Sequence, residues 1–235
     1  MLRLSRLPDG EPEVFVSIQG EGVSAGLPSV FVRLALCNLR CTWCDTRYTW
    51  DWAHYNPKEE IISMDAREVA RRVLGSGVAN AVITGGEPLL QQHDLEDLGD
   101  LLKLSHVRIE VETNGTIVPT DGLAQMVDQW NVSPKLENSG NDPDQRHVPA
   151  ALAWFAARSN AYFKFVVCQP GDVDEVTAIV GRYGVPAGRV LLMPEGTDAG
   201  TIARRSGWLV ERCLSTGYRF TPRLHILLWG DQRGR

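Results

Sequence analysis

The polarity pattern alternates between short apolar runs and longer stretches with an apolar residue every three or four positions. Residues 29–36 (SVFVRLAL), 80–84 (NAVIT), 107–113, 130–133, 161–167 (AYFKFVV) and 190–193 are short, rich in β-branched or aromatic residues, and predict strands. Residues 223–229 read as a last strand. Helices are predicted over 65–74, 94–104, 122–129, 149–158 and 199–215. In the second of these, Leu95, Leu98, Leu101 and Leu102 share a face, and Val173, Val176, Ile179 and Val180 mark a further helix by the same spacing.

Regular β-α alternation predicts an α/β fold with a mostly parallel sheet and crossover helices. A closed eight-unit barrel takes about 250 residues, and the chain beyond Cys37 holds only about six such units. The expectation is therefore a partial (β/α)6-type TIM barrel, an open parallel sheet with a shortened helical ring. No repeat, low-complexity segment or linker divides the chain, so residues 1–235 read as a single domain. In such folds chemistry gathers at the carboxyl ends of strands. The polar clusters fall there: Cys37 after the first strand, residues 85–88 (GGEP) after the second, 113–115 after the third, 133–135 after the fourth and 193–196 after the sixth.

Composition narrows the function. The formal net charge is −5, and no dense basic cluster suits a nucleic-acid backbone. No apolar run is long enough for a signal peptide or a membrane helix, so a cytoplasmic protein is expected. Of five cysteines, three fall within eight residues. In a reducing compartment that pattern reads as metal binding rather than a disulfide framework.

Cys37, Cys41 and Cys44 have the spacing C-x3-C-x2-C. Three thiolates on a tight loop can hold three irons of a [4Fe–4S] cluster and leave the fourth open. An open iron can bind the amino and carboxylate groups of S-adenosylmethionine (SAM), whose reductive cleavage gives a 5′-deoxyadenosyl radical. The alternative is zinc, which wants four ligands. A second cysteine pair is missing, although His54 is a candidate fourth ligand. Cys168 and Cys213 read as ordinary thiols.

The cysteine motif after one strand, with Gly-Gly-Glu-Pro after the next, resembles the radical SAM superfamily. Residues 17–22 (SIQGEG), 31–34 (FVRL), 44–46 (CDT), 84–88 (TGGEP), 112–115 (ETNG) and 133–135 (SPK) together are similar to one family within it, the 7-carboxy-7-deazaguanine synthases of the queuosine pathway. The resemblance implies a lyase that converts 6-carboxy-5,6,7,8-tetrahydropterin to 7-carboxy-7-deazaguanine with loss of ammonia. It implies a [4Fe–4S] cluster, SAM and Mg2+ as cofactors, a flavodoxin or ferredoxin as electron donor, and a homodimer.

It also implies roles residue by residue. SAM contacts fall to Trp43, Cys44, Asp45, Gly86, Ser133, Pro134, Lys135, Met193, Pro194, Glu195 and Gly196. Substrate contacts fall to Ile18, Gln19, Gly20, Glu21, Arg33, Thr84 and His225, and Mg2+ to Thr46. Some residues can be read independently. Arg33 shares a strand face with Phe31 and Ala35, where an unpaired guanidinium is costly. A substrate carboxylate is one partner, and a salt bridge to Glu110 or Glu112 is the other. Gln19 and Glu21 offer an amide and an acceptor to a pterin edge, or form a solvated turn. Thr46 is otherwise a helix cap, Trp43 a cluster shield, and His225 a structural residue on the face of Leu227 and Trp229.

Two stretches depart from the resemblance. Some family members end in a proline whose carboxylate reaches the substrate, whereas residues 229–235 here read WGDQRGR. The polar loop 136–147 has no counterpart. The competing readings are another small radical SAM enzyme, such as a glycyl-radical activating enzyme, and a zinc-stabilised module without catalysis.

Overall fold

The computed structural model describes residues 1–235. Its strands are β1 (Leu2–Ser5), β2 (Val14–Ile18), β3 (Pro28–Leu34), β4 (Ile61–Met64), β5 (Asn80–Gly85), β6 (Arg108–Thr113), β7 (Gln129–Val132), β8 (Ala161–Val167), β9 (Val190–Pro194) and β10 (Arg219–Phe220). Its helices are α1 (Pro57–Glu60), α2 (Ala66–Gly75), α3 (Gln92–Leu104), α4 (Asp121–Met126), α5 (Pro143–Arg146), α6 (Pro149–Ala156), α7 (Asp172–Tyr183), α8 (Ala199–Thr216) and α9 (Leu224–Trp229). All ten strands form one open sheet in the order β10-β9-β8-β7-β6-β5-β3-β1-β4, with β2 also paired to β3. From β3 to β10 the neighbours are parallel, as the β-α alternation predicts. β1, β2 and β4 pair antiparallel and extend the sheet beyond β3.

The two faces of the parallel strands do different work. Successive side chains alternate. Val30, Val32 and Leu34 of β3, Ala81 and Ile83 of β5, Ile109 and Val111 of β6, and Phe163, Phe165 and Val167 of β8 point into the core beneath the helices. The other face carries Arg33, Thr84, Glu110, Glu112, Gln129, Asn131 and Lys164, and most of these are buried. Polar groups on a buried face need partners. At the amino ends of the strands they find one another: Glu110 accepts from Gln129 Nε2 (3.1 Å) and Asn131 Nδ2 (3.0 Å) and pairs with Arg108.

The helices start where side-chain caps allow. Asp65, Thr120 and Asp198 accept the amides of Arg67, Leu123 and Thr201 at the heads of α2, α4 and α8. One non-glycine residue departs from ordinary backbone where β3 ends. Leu36 has φ +76° and turns the chain into the cysteine loop. A left-handed Leu costs about 1–2 kcal/mol, and two bonds hold it there: Leu36 N donates to Thr49 O (2.7 Å) and its carbonyl accepts Glu87 N (2.7 Å).

The structure corrects the last predicted strand. Residues 224–229 form α9, and only Arg219–Phe220 pair with β9. Pro222 cannot donate to a ladder, so it ends the pairing. The run Leu-His-Ile-Leu-Leu-Trp is too short to reveal its period. As a helix it buries Ile226 and leaves Leu227, Leu228 and Trp229 partly exposed. On a helix His225 shares a face with Trp229, four residues on, and not with Leu227. Residues 122–129 are helical only to Met126, because Val127 is already extended and leads into β7. Strands β1, β2, β4 and β10 lie outside the sequence prediction.

Candidate active site

A cavity of about 220 Å³ opens at the carboxyl ends of the parallel strands. Cys37, Cys41 and Cys44 line one side of it, on the loop that follows β3. Each sulfur receives one N–H: Cys37 from Leu39 N (3.4 Å), Cys41 from Asn141 Nδ2 (3.3 Å) and Cys44 from Trp50 Nε1 (3.3 Å). Burial pushes the Cys37 thiol up to about 12, with Glu87 adding to it, and raises Cys41 as well. Such thiols ionise readily only beside a cationic centre. Sulfurs facing one cavity, each with an N–H donor, are a donor set that fits an iron–sulfur cluster. No His, Cys, Asp or Glu trio is arranged to hold a single metal ion. His54, the candidate fourth zinc ligand, is paired with Asp51 at 2.9 Å. Thiolates that each take a different iron need not converge on one point.

The glycine turn sits against this loop. A Cβ on Gly85 would lie 2.0 Å from Leu34 O, and one on Gly86 would lie 2.0 Å from Leu36 O. Only glycine permits that approach. Glu87 is fully buried and accepts from Leu89 N (3.0 Å), Thr113 Oγ1 (2.8 Å) and Asn114 N (2.7 Å), which ties the second loop to the third. Burial raises its pKa against these bonds. Asn114 Nδ2 reaches Asn38 Oδ1 (2.8 Å) in the cysteine loop. Further round, Lys135 Nζ donates to Ser133 Oγ (2.9 Å) and lies 5.4 Å from the centre of the Trp43 ring. Glu195 pairs with Arg205.

The opposite wall carries charge. Arg33 Nε donates to Glu13 Oε1 (2.7 Å), and Arg33 Nη1 and Nη2 have no protein acceptor. Glu13 has no exposed surface and also binds Tyr48 OH (3.2 Å) and, through Oε2, Arg233 Nε (3.1 Å). Burial alone would lower the Arg33 pKa, but Tyr48 and Glu13 hold it above the usual arginine range. The partner is thus Glu13, and neither Glu110 nor Glu112. Glu112 instead accepts from Gln19 Nε2 (3.1 Å) and Thr84 Oγ1 (2.9 Å).

Glu21 is not a free acceptor. It pairs with Lys164, with Arg223 Nε (3.1 Å) and, more loosely, with His225 Nε2 (3.9 Å), while Arg223 also pairs with Asp45. Burial would raise the Glu21 pKa, but Lys164 and Arg223 outweigh it and hold the carboxyl well below its usual range. A carboxyl depressed in the folded state contributes stability that is full above its unfolded value and is lost as pH falls toward the folded one. Acid unfolding should therefore become shallower below about pH 4.3 in Glu21→Gln, measured as Tm against pH. Equal slopes would refute this assignment.

Most residues singled out from the sequence meet in this cavity. Ile18, Gln19, Gly20, Glu21, Arg33, Trp43, Asp45, Thr46, Thr84, Gly86, Ser133, Lys135, Met193, Glu195 and His225 line it with the three cysteines. Pro134, Pro194 and Gly196 do not line it, although Gly196 O accepts Arg223 Nη1 (2.6 Å). The Thr46 hydroxyl makes no cap bond and lies 3.6 Å from Cys44 Sγ. His225 reaches the cavity from α9 and presses on the loop: a Cβ on Gly20 would lie 2.1 Å from its Nδ1. Gly20→Ala should displace the imidazole, with a cost of about 1 kcal/mol. For a chain of this length that corresponds to a fall in Tm of about 2–4 °C, and an unchanged Tm would exclude it.

Sequence reasoning missed Glu13, Lys164 and Arg223. Lys164 carried a signal, being the one charge in the apolar run AYFKFVV.

Comparison with known proteins agrees with the geometry. Residues 32–135 match the model of the radical SAM superfamily. A 7-carboxy-7-deazaguanine synthase of Pyrobaculum aerophilum is 43% identical over 95% of this chain and 96% of its own. One from Hyperthermus butylicus is 38% identical over 92% of this chain and 91% of its own. The crystal structure of QueE from Escherichia coli superposes with a TM-score of 0.69 at 24% identity, covering 95% of this chain and 94% of that one, and so shares the fold.

Proposed function

Because this chain belongs to the 7-carboxy-7-deazaguanine synthase family of radical SAM enzymes, we propose that its cavity converts 6-carboxy-5,6,7,8-tetrahydropterin to 7-carboxy-7-deazaguanine, with loss of ammonia, in queuosine biosynthesis. The observation that carries the reading is the continuity of one cavity from three cysteines to an arginine whose Nη groups have no protein partner. Cys37, Cys41 and Cys44 would hold the cluster, and Gly85, Gly86, Ser133, Lys135, Met193 and Glu195 would border the place of SAM. When bound, the cluster and SAM would supply a radical able to take a hydrogen atom from the substrate.

The chain's own part is positioning. Arg33 presents its Nη edge to the pterin carboxylate, while Glu13 on Nε fixes the plane of the guanidinium. Phe31 and Phe15 stack at 5.2 Å beside it and give the ring system an apolar wall. Gln19 and Thr84 are oriented by their shared acceptor, Glu112. Lys164 and Arg223 neutralise Glu21, which fixes the loop of residues 19–22 against the lumen. Trp43 and Trp50 line the cavity beside the sulfurs, and Trp50 Nε1 donates to Cys44 Sγ (3.3 Å). Thr46 Oγ1 would supply the protein's ligand to Mg2+, which would stabilise charge on the substrate carboxylate. On the same reading the enzyme is a cytoplasmic homodimer fed by a flavodoxin or ferredoxin. No helix is long and apolar enough to cross a membrane.

The test is anaerobic reconstitution with iron and sulfide, reduction, and addition of SAM with the carboxytetrahydropterin. Formation of the deazaguanine acid is expected. 5′-Deoxyadenosine without that product points to a different radical SAM substrate, and zinc uptake without iron overturns the cluster itself.

A further inference from the structure

Residues 138–141 lie across the cysteine loop. Thr42 N donates to Ser139 O (3.0 Å), Arg40 N to Asn141 Oδ1 (2.7 Å) and Trp43 Nε1 to Asn138 Oδ1 (3.2 Å). Gly140 sits at φ +75° so close to Thr42 that a Cβ would lie 2.7 Å from its Cγ2. The stretch is anchored from behind. Asn138 Nδ2 donates to Asp172 Oδ2 (2.6 Å) and Val166 O (3.1 Å), and Ser139 is fully buried. From this seat Asn141 Nδ2 donates to Cys41 Sγ (3.3 Å) and to Ser139 Oγ (3.1 Å).

The three N–H···S bonds differ in origin. The Leu39 amide belongs to the cysteine loop and the Trp50 indole follows six residues after Cys44, but Asn141 lies 100 residues from Cys41. Its bond to sulfur therefore exists only while residues 138–141 stay docked. A hydrogen bond to a cluster thiolate strengthens as the cluster gains an electron, so it favours the reduced form. We infer that residues 138–141 clamp the cluster loop and that Asn141, acting through Cys41, raises the cluster's reduction potential. Asn141 is a positioning residue, since it touches a ligand sulfur and not the reacting atoms. The inference rests on the assignment of the cluster to these cysteines.

The measurement is the midpoint potential of the reconstituted, substrate-free protein, read from the EPR signal of the reduced cluster during a redox titration. In Asn141→Ala with full iron and sulfide, the ratio of reduced to oxidised cluster at a fixed potential should fall about tenfold, a negative shift of about 59 mV for one electron. Asn138→Ala, which unseats the stretch without touching a sulfur, should shift the potential in the same direction. Should Asn141→Ala lose iron, Asn141→Asp keeps the acceptor for Arg40 N and removes the donor, and a larger negative shift is expected. An unchanged potential in a fully loaded Asn141 variant overturns the inference. Failure of the wild-type chain to take up iron would instead overturn the cluster assignment.

Discussion

Arg33→Ala should raise the KM for the carboxylated pterin by roughly 30-fold or more, while SAM binding and uncoupled SAM cleavage stay within about twofold. The basis is the free Nη edge at the cavity, since truncating one partner of a buried charge pair costs about 2–5 kcal/mol. Arg33→Lys should recover little, because an ammonium cannot bond Glu13 and a carboxylate in one plane. Glu13 keeps Arg233 and Tyr48 in either variant, so the fold should survive. Steady-state kinetics with a circular dichroism control decides the matter. A normal KM in a folded Arg33→Ala protein removes Arg33 from the substrate site.

The second large effect concerns stability. Glu21→Ala leaves Lys164 and Arg223 buried with one acceptor fewer, and breaking such a pair costs about 3–5 kcal/mol. For a chain of this length each kcal/mol moves Tm by about 2–4 °C, so a fall of roughly 6–20 °C is expected. Adding Lys164→Met should return part of that loss, because Arg223 retains Asp45 and no ammonium is then orphaned. A double variant less stable than Glu21→Ala would mean that Lys164 is held chiefly by other partners, Glu112 among them.

The same charges mark where sequence reading reached its limit. Strands β3, β5, β8 and β9 were legible because they are largely buried on both faces and read as nearly continuous apolar runs, whereas β6 (RIEVET) showed itself by alternation. The face of Arg33 followed from period-two alternation. Its partner did not, because Glu13 arrives through antiparallel pairing of β2 with β3, with Val14 opposite Val32. Such pairings depend on register between separate strands. Glu21 read as a free acceptor for a parallel reason, since the cations that neutralise it come from β8 and from the turn before α9. The segment that became α9 was misread because six residues do not distinguish a helix from a strand. The cysteine motif survived translation into three dimensions because its geometry is local, and the Gly-Gly-Glu-Pro turn because only glycine fits so close to a paired strand. The three cysteines lie within eight residues, and the glycines answer to the neighbouring backbone of Leu34 and Leu36.

An open barrel has a seam, and here the seam is sewn with working residues. Leu224 N donates to Gly20 O (2.8 Å), Gly22 N to Thr221 Oγ1 (2.7 Å), and Arg223 grips Glu21. The loop assigned to reading the pterin is thus also the stitch that draws the β10 end of the sheet toward β2. A ligand seated against residues 19–22 would therefore rest on the stitch itself, touching a loop that both margins of the seam hold in place.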